Sequence, residues 1–140
     1  MQRISPLSGA KQSALLSQTN LINSVIKLFK WGFVPGVSTV KAELVAQECD
    51  FDDYVSKTIA AWTGPVLAPV AGYQINAPVE TWTVLTNVVG NTVGGYWIED
   101  AGGDVIDIVV FDNPGVPMTN VDQAVQVTPV EFFPAQSVAA

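Results

Sequence analysis

The stretch Gly95-Tyr96-Trp97-Ile98-Glu99-Asp100-Ala101-Gly102-Gly103-Asp104-Val105-Ile106-Asp107-Ile108-Val109-Val110-Phe111 decides the fold class. Aromatic and β-branched residues dominate on both sides of Asp100–Gly103, and such residues favour strands. Between them, Gly102 and Gly103 supply the positive φ that a tight hairpin needs. Outward from this hairpin, Asn91 to Asp100 forms its first strand and Val105 to Phe111 its second. Asp112-Asn113-Pro114-Gly115 is a turn by composition, and Ala124 to Phe132 is the last strand. Upstream, Glu80 to Val88 alternates as a strand, with Trp82 and Val84 on one face and Thr81, Thr83 and Leu85 on the other. Asn23 to Trp31 and Val55 to Trp62 read as two earlier strands. In the first, Ile26 and Leu28 alternate with Lys27, Phe29 and Lys30.

Helical signals lie only near the start. Ser5-Pro6 is a helix start with Ser as cap and Pro at the first helical position. The residues from there to about Thr19 suit a helix, with Leu7, Ala10, Ala14 and Leu15 as a weak apolar stripe. After the breakers Gly32, Pro35 and Gly36, Ser38 or Thr39 can cap a short helix near residues 40–47, where Val40 and Leu44 lie one turn apart. Short strands following one another, with helices only at the beginning, predict a mainly β chain. The expected architecture is a single antiparallel β-sandwich, jelly-roll or immunoglobulin-like, or a small barrel. It occupies residues 21–140 and follows a partly helical N-terminal arm, residues 1–20.

A length of 140 residues suits one domain with a sizeable core. Hydrophobic residues make up 49% and charged residues 14%, which excludes disorder by composition. The chain has no histidine, which removes the usual neutral-pH acid–base and metal ligand chemistry. Its one cysteine, Cys49, cannot form an internal disulfide. All six basic residues lie at or before Lys57, and no Lys or Arg follows in a chain of net charge −7. Without a basic patch, neither nucleic acid nor an anionic membrane surface is an expected partner. No apolar run is long enough to span a bilayer. The start, MQRISPLSGAKQS, lacks the apolar stretch of a secretory signal, which predicts a cytoplasmic origin.

The segment YWIEDAGGDVIDIVVFDNPGVPM, followed by VDQAVQVTPVEF, resembles a group of small structural proteins of tailed bacteriophages. The shared pattern is a Gly-Tyr strand, an Asp/Gly hairpin, a strand ending in Phe, then Pro-Val-x-Met and a final strand containing Thr-Pro. The earlier marks VIKLFKWGFVP, Phe51–Tyr54 and the Ala-Trp-x-x-Pro of Ala61–Pro65 also fit. The similarity spans roughly residues 21–133. It implies a virion component, either a head decoration (cement) protein or a tail accessory protein. These motifs are turn and core signatures, not catalytic ones.

Candidate chemistry is sparse. A nucleophilic Cys49 would need a base, and it lies between Glu48 and Asp50, whose charges disfavour the thiolate. Asp104 and Asp107 are three apart in a strand and face opposite sides, which argues against a glycosidase pair. Two oxygen-rich turns are the weak metal candidates: Asp50, Asp52 and Asp53 in one, Glu99, Asp100 and Asp104 in the other. Neither matches the EF-hand spacing, and Asp favours turns for local reasons. Gly94-Gly95 opens a strand rather than a helix and forms no phosphate cradle. Of the four tryptophans, Trp62, Trp82 and Trp97 sit in strands and suit the core. Trp31, beside Phe33 in a Gly/Pro-rich stretch, is the one suited to an interface.

The expected function is therefore structural, not enzymatic, and needs no cofactor. The chain would bind the major capsid protein or other virion proteins, and other copies of itself within the assembly. Leu15, Leu16, Leu21 and Ile22 of the arm, Trp31 and Phe33, and Phe132 and Phe133 of the tail are the expected contact residues. The alternative is a tail accessory or receptor-binding module that stacks sugars on exposed aromatic rings.

Overall fold

A computed structural model describes residues 2–86 and 89–139. The protein is mainly β, the sheets are antiparallel in the described pairings, and a helix stands near the N-terminus. The chain divides into two compact units assembled from interleaved segments.

One unit comprises Met1–Asn23, Ile59–Val79 and Thr128–Ala140. It holds β1 (Gln2–Ser5), α1 (Leu7–Asn20), β4 (Thr63–Leu67), β5 (Gly72–Asn76), β11 (Val130–Pro134) and β12 (Gln136–Ala139). β1 and β12 pair as a two-stranded ribbon, while β5 is the centre of a β11-β5-β4 sheet. α1 packs against all three strands of that sheet. Its buried positions are Ala10 and Ala14, four apart on one helix face. Small side chains there let the helix axis come close to β5. The predicted arm is thus built into a sheet-and-helix layer.

The other unit comprises Ser24–Thr58 and Glu80–Val127. It holds β2 (Ser24–Lys30), α2 (Lys41–Ala46), most of β3 (Lys57–Ile59), β6 (Glu80–Thr83), β7 (Asn91–Glu99), β8 (Val105–Val110), β9 (Val116–Met118) and β10 (Ala124–Val127). The main sheet has the order β3-β2-β7-β8, with β9 also paired to β7. β6 and β10 form a separate pair. Phe29, Leu44 and Trp97 are fully buried in one cluster, with Phe33, Val105 and Ile108 packed against it. Phe29 and Phe33 meet edge to face at 5.7 Å between ring centroids. The predicted hairpin forms, with Gly103 alone of the two glycines at positive φ (+91), and Asp100 and Asp104 close the turn through backbone bonds.

Several expected boundaries move, each for a local reason. Ser5 cannot cap α1, because it ends β1 opposite Gln136. Extended Pro6 takes the cap position instead, its carbonyl accepting the Ala10 N–H at 3.1 Å. At α2 neither Ser38 nor Thr39 caps. Thr39 Oγ1 accepts the Gly36 N–H at 2.7 Å, and the Glu43 carboxylate accepts the Val40 N–H at 3.2 Å. The strand expected over Val55 to Trp62 shrinks to the short β3 because side chains claim the flanking carbonyls. Trp82 Nε1 donates to Val55 and Gln18 Nε2 donates to Trp62, each at 2.7 Å. Ala124 to Phe132 is two strands, broken at Thr128-Pro129 where proline has no N–H to give a ladder. The strand expected over Glu80 to Val88 ends at Thr83, although Trp82 and, just beyond it, Val84 are buried as the alternation predicts. The far end of that expected strand, Val88, lies outside the described residues.

Candidate functional site

The principal buried charge is Glu99, 4% exposed at the end of β7. Trp97 and Glu99 are two apart in the strand and so share one face. β2 places Lys27 directly opposite Trp97, and α2 brings Lys41 from across the chain. Glu99 Oε1 pairs with Lys41 Nζ at 3.0 Å, and Oε2 pairs with Lys27 Nζ at 3.3 Å. Trp97 Nε1 donates to the same Oε2 at 2.8 Å. Lys27 also stands over the Trp97 ring, 5.9 Å from its centroid. Lys41 donates further to the Gly103 carbonyl at 2.9 Å, reaching the hairpin.

Burial alone would push the Glu99 carboxyl up. The bonds from Trp97, Lys41 and Lys27 outweigh it and hold the group below the usual carboxylate range. Both carboxylate oxygens are engaged, so the cluster acts as a tie between β2, β7, α2 and the hairpin. Sequence reasoning placed Glu99 with Asp100 and Asp104 in an oxygen-rich turn. In the structure Glu99 turns inward, while Asp100 Oδ1 accepts the Asp104 N–H at 2.9 Å as part of the turn. No group of three or more His, Cys, Asp or Glu side chains arranged for a metal occurs among the described residues. The signal that was present is the spacing: an acid two residues from a buried tryptophan on one strand face. Its partners Lys27 and Lys41 carried no local sign of their role.

The second acidic turn is also consumed by local bonding. Asp50 bonds Asn91 Nδ2 at 2.9 Å and pairs with Lys30 at 3.4 Å. The Asn91 bond, with Lys30, holds its carboxyl below the usual range. Asp52 Oδ2 accepts from Thr86 Oγ1 at 2.8 Å and from the Val89 N–H at 3.0 Å. Cys49 lies buried behind this turn, and its thiol is pushed up to about 12. Burial is the main cause, with Asp50 and Glu48 adding to it against Lys30. Tyr54 donates to Glu48 Oε2 at 2.8 Å while receiving the Leu28 N–H at 3.1 Å. Burial pushes the Tyr54 hydroxyl up, so this group too serves packing.

The expected contact residues are scattered. Leu16 and Ile22 are exposed, and Leu15 and Phe132 are partly so. Leu21 is 2% exposed and is corrected to a core residue: it caps the C-terminus of α1, and its N–H donates to the Ser17 carbonyl. Phe133 is half-buried in β11, and Phe33 is half-buried against the Phe29 cluster. Trp31 is 41% exposed, one part of its ring lying against the Gly115 backbone. Trp62, Trp82 and Trp97 are buried, as core packing requires.

Sequence reasoning missed a surface beside the Glu99 tie. A groove of about 590 Å³ runs between the loop at Pro35–Val37 and β8. Ile106, Ile108 and Val110 line it along the strand, with Asp107 as its charged member. Val37 is fully exposed on the opposite wall and Val34 beside it is 87% exposed. Compared with protein-family models, with curated proteins and with solved structures, the chain matches none of them.

Proposed function

We propose that the protein is a structural subunit that works through protein–protein contacts, as a decoration or cement subunit of a phage capsid. One observation carries the reading: exposed apolar side chains grouped around one groove in the unit that bears most of the charge. Val37, Ile106 and Val110 face water around one groove, and apolar side chains exposed together in a concave surface suit burial against a partner. The low charged fraction, 14%, leaves further uncharged surface to bury against neighbours. The titratable groups that stand out, Glu99, Asp50, Cys49 and Tyr54, are all occupied in structural bonding or burial. The resemblance of residues 21–133 to phage structural proteins supplies the virion assignment, with the major capsid protein and further copies of the chain as partners.

The second reading, a carbohydrate-binding tail accessory module, is favoured by the exposed face of Trp31. Two measurements separate them. Sedimentation across a concentration series, alone and with phage shells, is expected to show self-association or shell binding. Titration with glycans is expected to leave the tryptophan fluorescence unchanged. A protein that stays monomeric, ignores shells and shows saturable quenching of Trp31 by a glycan overturns the structural reading.

A further inference from the structure

The outer edge of β8 is unpaired among the described residues, since β8 ends the β3-β2-β7-β8 order. Which of its backbone groups are free follows from the ladder. The Phe111 N–H donates to the Gly94 carbonyl at 2.8 Å, and the register pairs Tyr96 with Val109 and Ile98 with Asp107. In an antiparallel pair bonded positions alternate. Val109 and Asp107 therefore turn their backbone groups to β7, and Ile108 and Val110 turn theirs outward. The Asp107 side chain confirms the direction: its Oδ1 accepts the Ile108 N–H at 2.9 Å. A carboxylate folded over an edge donor shields that edge from indiscriminate pairing.

We propose that this edge, together with the groove beneath Pro35 and Val37, receives an extended segment of a partner protein that is apolar and carries a basic residue. The incoming strand adds to the sheet through Ile108 and Val110, and its alternate side chains fill the groove. Charge complementarity selects the occupant. Asp104 precedes β8, Asp107 lies within it and Asp112 follows it. The nearby cation Lys41 is already held by Glu99 and the Gly103 carbonyl. A lysine or arginine on the incoming strand draws the Asp107 carboxylate off Ile108 and releases that N–H for pairing. An acidic or neutral strand leaves the shield in place. The inference rests on the assembly reading for its biological role and names the surface and partner chemistry.

The test uses the full-length protein and two synthetic probes, the acetylated, amidated hexapeptide Lys-Val-Thr-Val-Lys-Val and its counterpart with glutamate at both lysine positions. Amide exchange and chemical shifts are followed at Ile108 and Val110. The lysine peptide is expected to protect both amides and to bind about tenfold tighter than the glutamate peptide, with the preference shrinking as salt rises. Val37→Asp, on a fully exposed loop position, is expected to weaken capture without changing the melting temperature. Asp107→Asn is expected to reduce the preference between the two peptides. Equal binding of both peptides, or lysine-peptide binding that leaves Ile108 unprotected, overturns the proposal. So does no binding of either peptide, or protection of the edge by protein concentration alone, which would make a second copy the occupant. A protein that assembles with shells yet fails these tests loses this inference and keeps the structural reading. One that captures the lysine peptide but never assembles does the reverse.

Discussion

Glu99 is a carboxylate where the neighbouring strand positions are buried and apolar, and its charge is stabilised there by Lys27, Lys41 and the Trp97 indole. A carboxyl held below its usual range contributes stability that is present above the unfolded value, about 4.3 for glutamate. That contribution is lost as pH falls through the lower folded value. Glu99→Gln is therefore expected to melt lower at neutral pH and to show a shallower loss of melting temperature below about pH 4.3 than the parent protein. The neutral-pH cost is about 1.5–3 kcal/mol, the range for hydrogen bonds to a charged group, because the two lysines left behind keep water contact. Equal acid limbs for parent and variant would contradict the assignment. Gly95 marks a different residue-scale constraint. A Cβ there would run into the Val109 carbonyl and the Phe29 ring, whereas one at Gly36 meets nothing within 4 Å. Gly95→Ala is expected to cost about 3 kcal/mol, as overpacking does, and Gly36→Ala almost nothing by denaturant midpoint. Cys49, buried with its thiol pushed up to about 12, is expected to resist thiol reagents until the protein unfolds. Modification at the rate of a free thiol would show that the turn over it opens readily.

At the scale of elements, α1 gives the clearest test of docking. Ala14 is fully buried beneath the helix and Leu16 is largely exposed on it. Ala14→Leu is expected to destabilise by about 1–3 kcal/mol through overpacking. Leu16→Glu is expected to leave stability nearly unchanged in a thermal melt. If both are neutral, α1 does not pack on β5 as described. This helix also shows what the sequence made legible and what it did not. Ala10 and Ala14 belong to the stripe read from spacing, yet a run of small residues reads equally as an exposed arm until a sheet is placed under it. The central hairpin was legible because Gly102, Gly103 and their β-branched flanks are local signals. The break at Thr128-Pro129 had a local signal too, a proline with no N–H for a ladder, but the separate partners did not: Ala124 to Val127 and Val130 to Pro134 pair with β6 and β5, strands distant in the chain. The Glu99 tie was illegible for the same reason: Lys27 and Lys41 are far from it in sequence, and local composition assigned the acid to a turn.

At the scale of the whole molecule, the two units divide the net charge as unevenly as chain position does, but they group the basic residues differently. The unit built from both chain ends and residues 59–79 contains Arg3, Lys11 and Glu131, a net of +1. The other contains the remaining four basic and twelve acidic residues, a net of −8. Lys27, Lys30, Lys41 and Lys57, which the chain order groups with the arm, thus stand among the acids. Lys27, Lys30 and Lys41 pair with Glu99 or Asp50, and Lys57 stands over the Trp82 ring. An arm that merely reached out to a neighbour could be removed without loss elsewhere. Here, removal of residues 2–20 takes away β1 and the helix that covers the β11-β5-β4 sheet. Units with their own cores open with separate free energies. The truncated protein is therefore expected to lose amide protection in β4, β5 and β11, and to expose Trp62, while β2, β7 and β8 with Trp97 stay protected. Hydrogen exchange read segment by segment checks this directly. Uniform loss across both units would mean that they fold as one cooperative block, and full retention in β5 would mean that α1 contributes nothing to its cover.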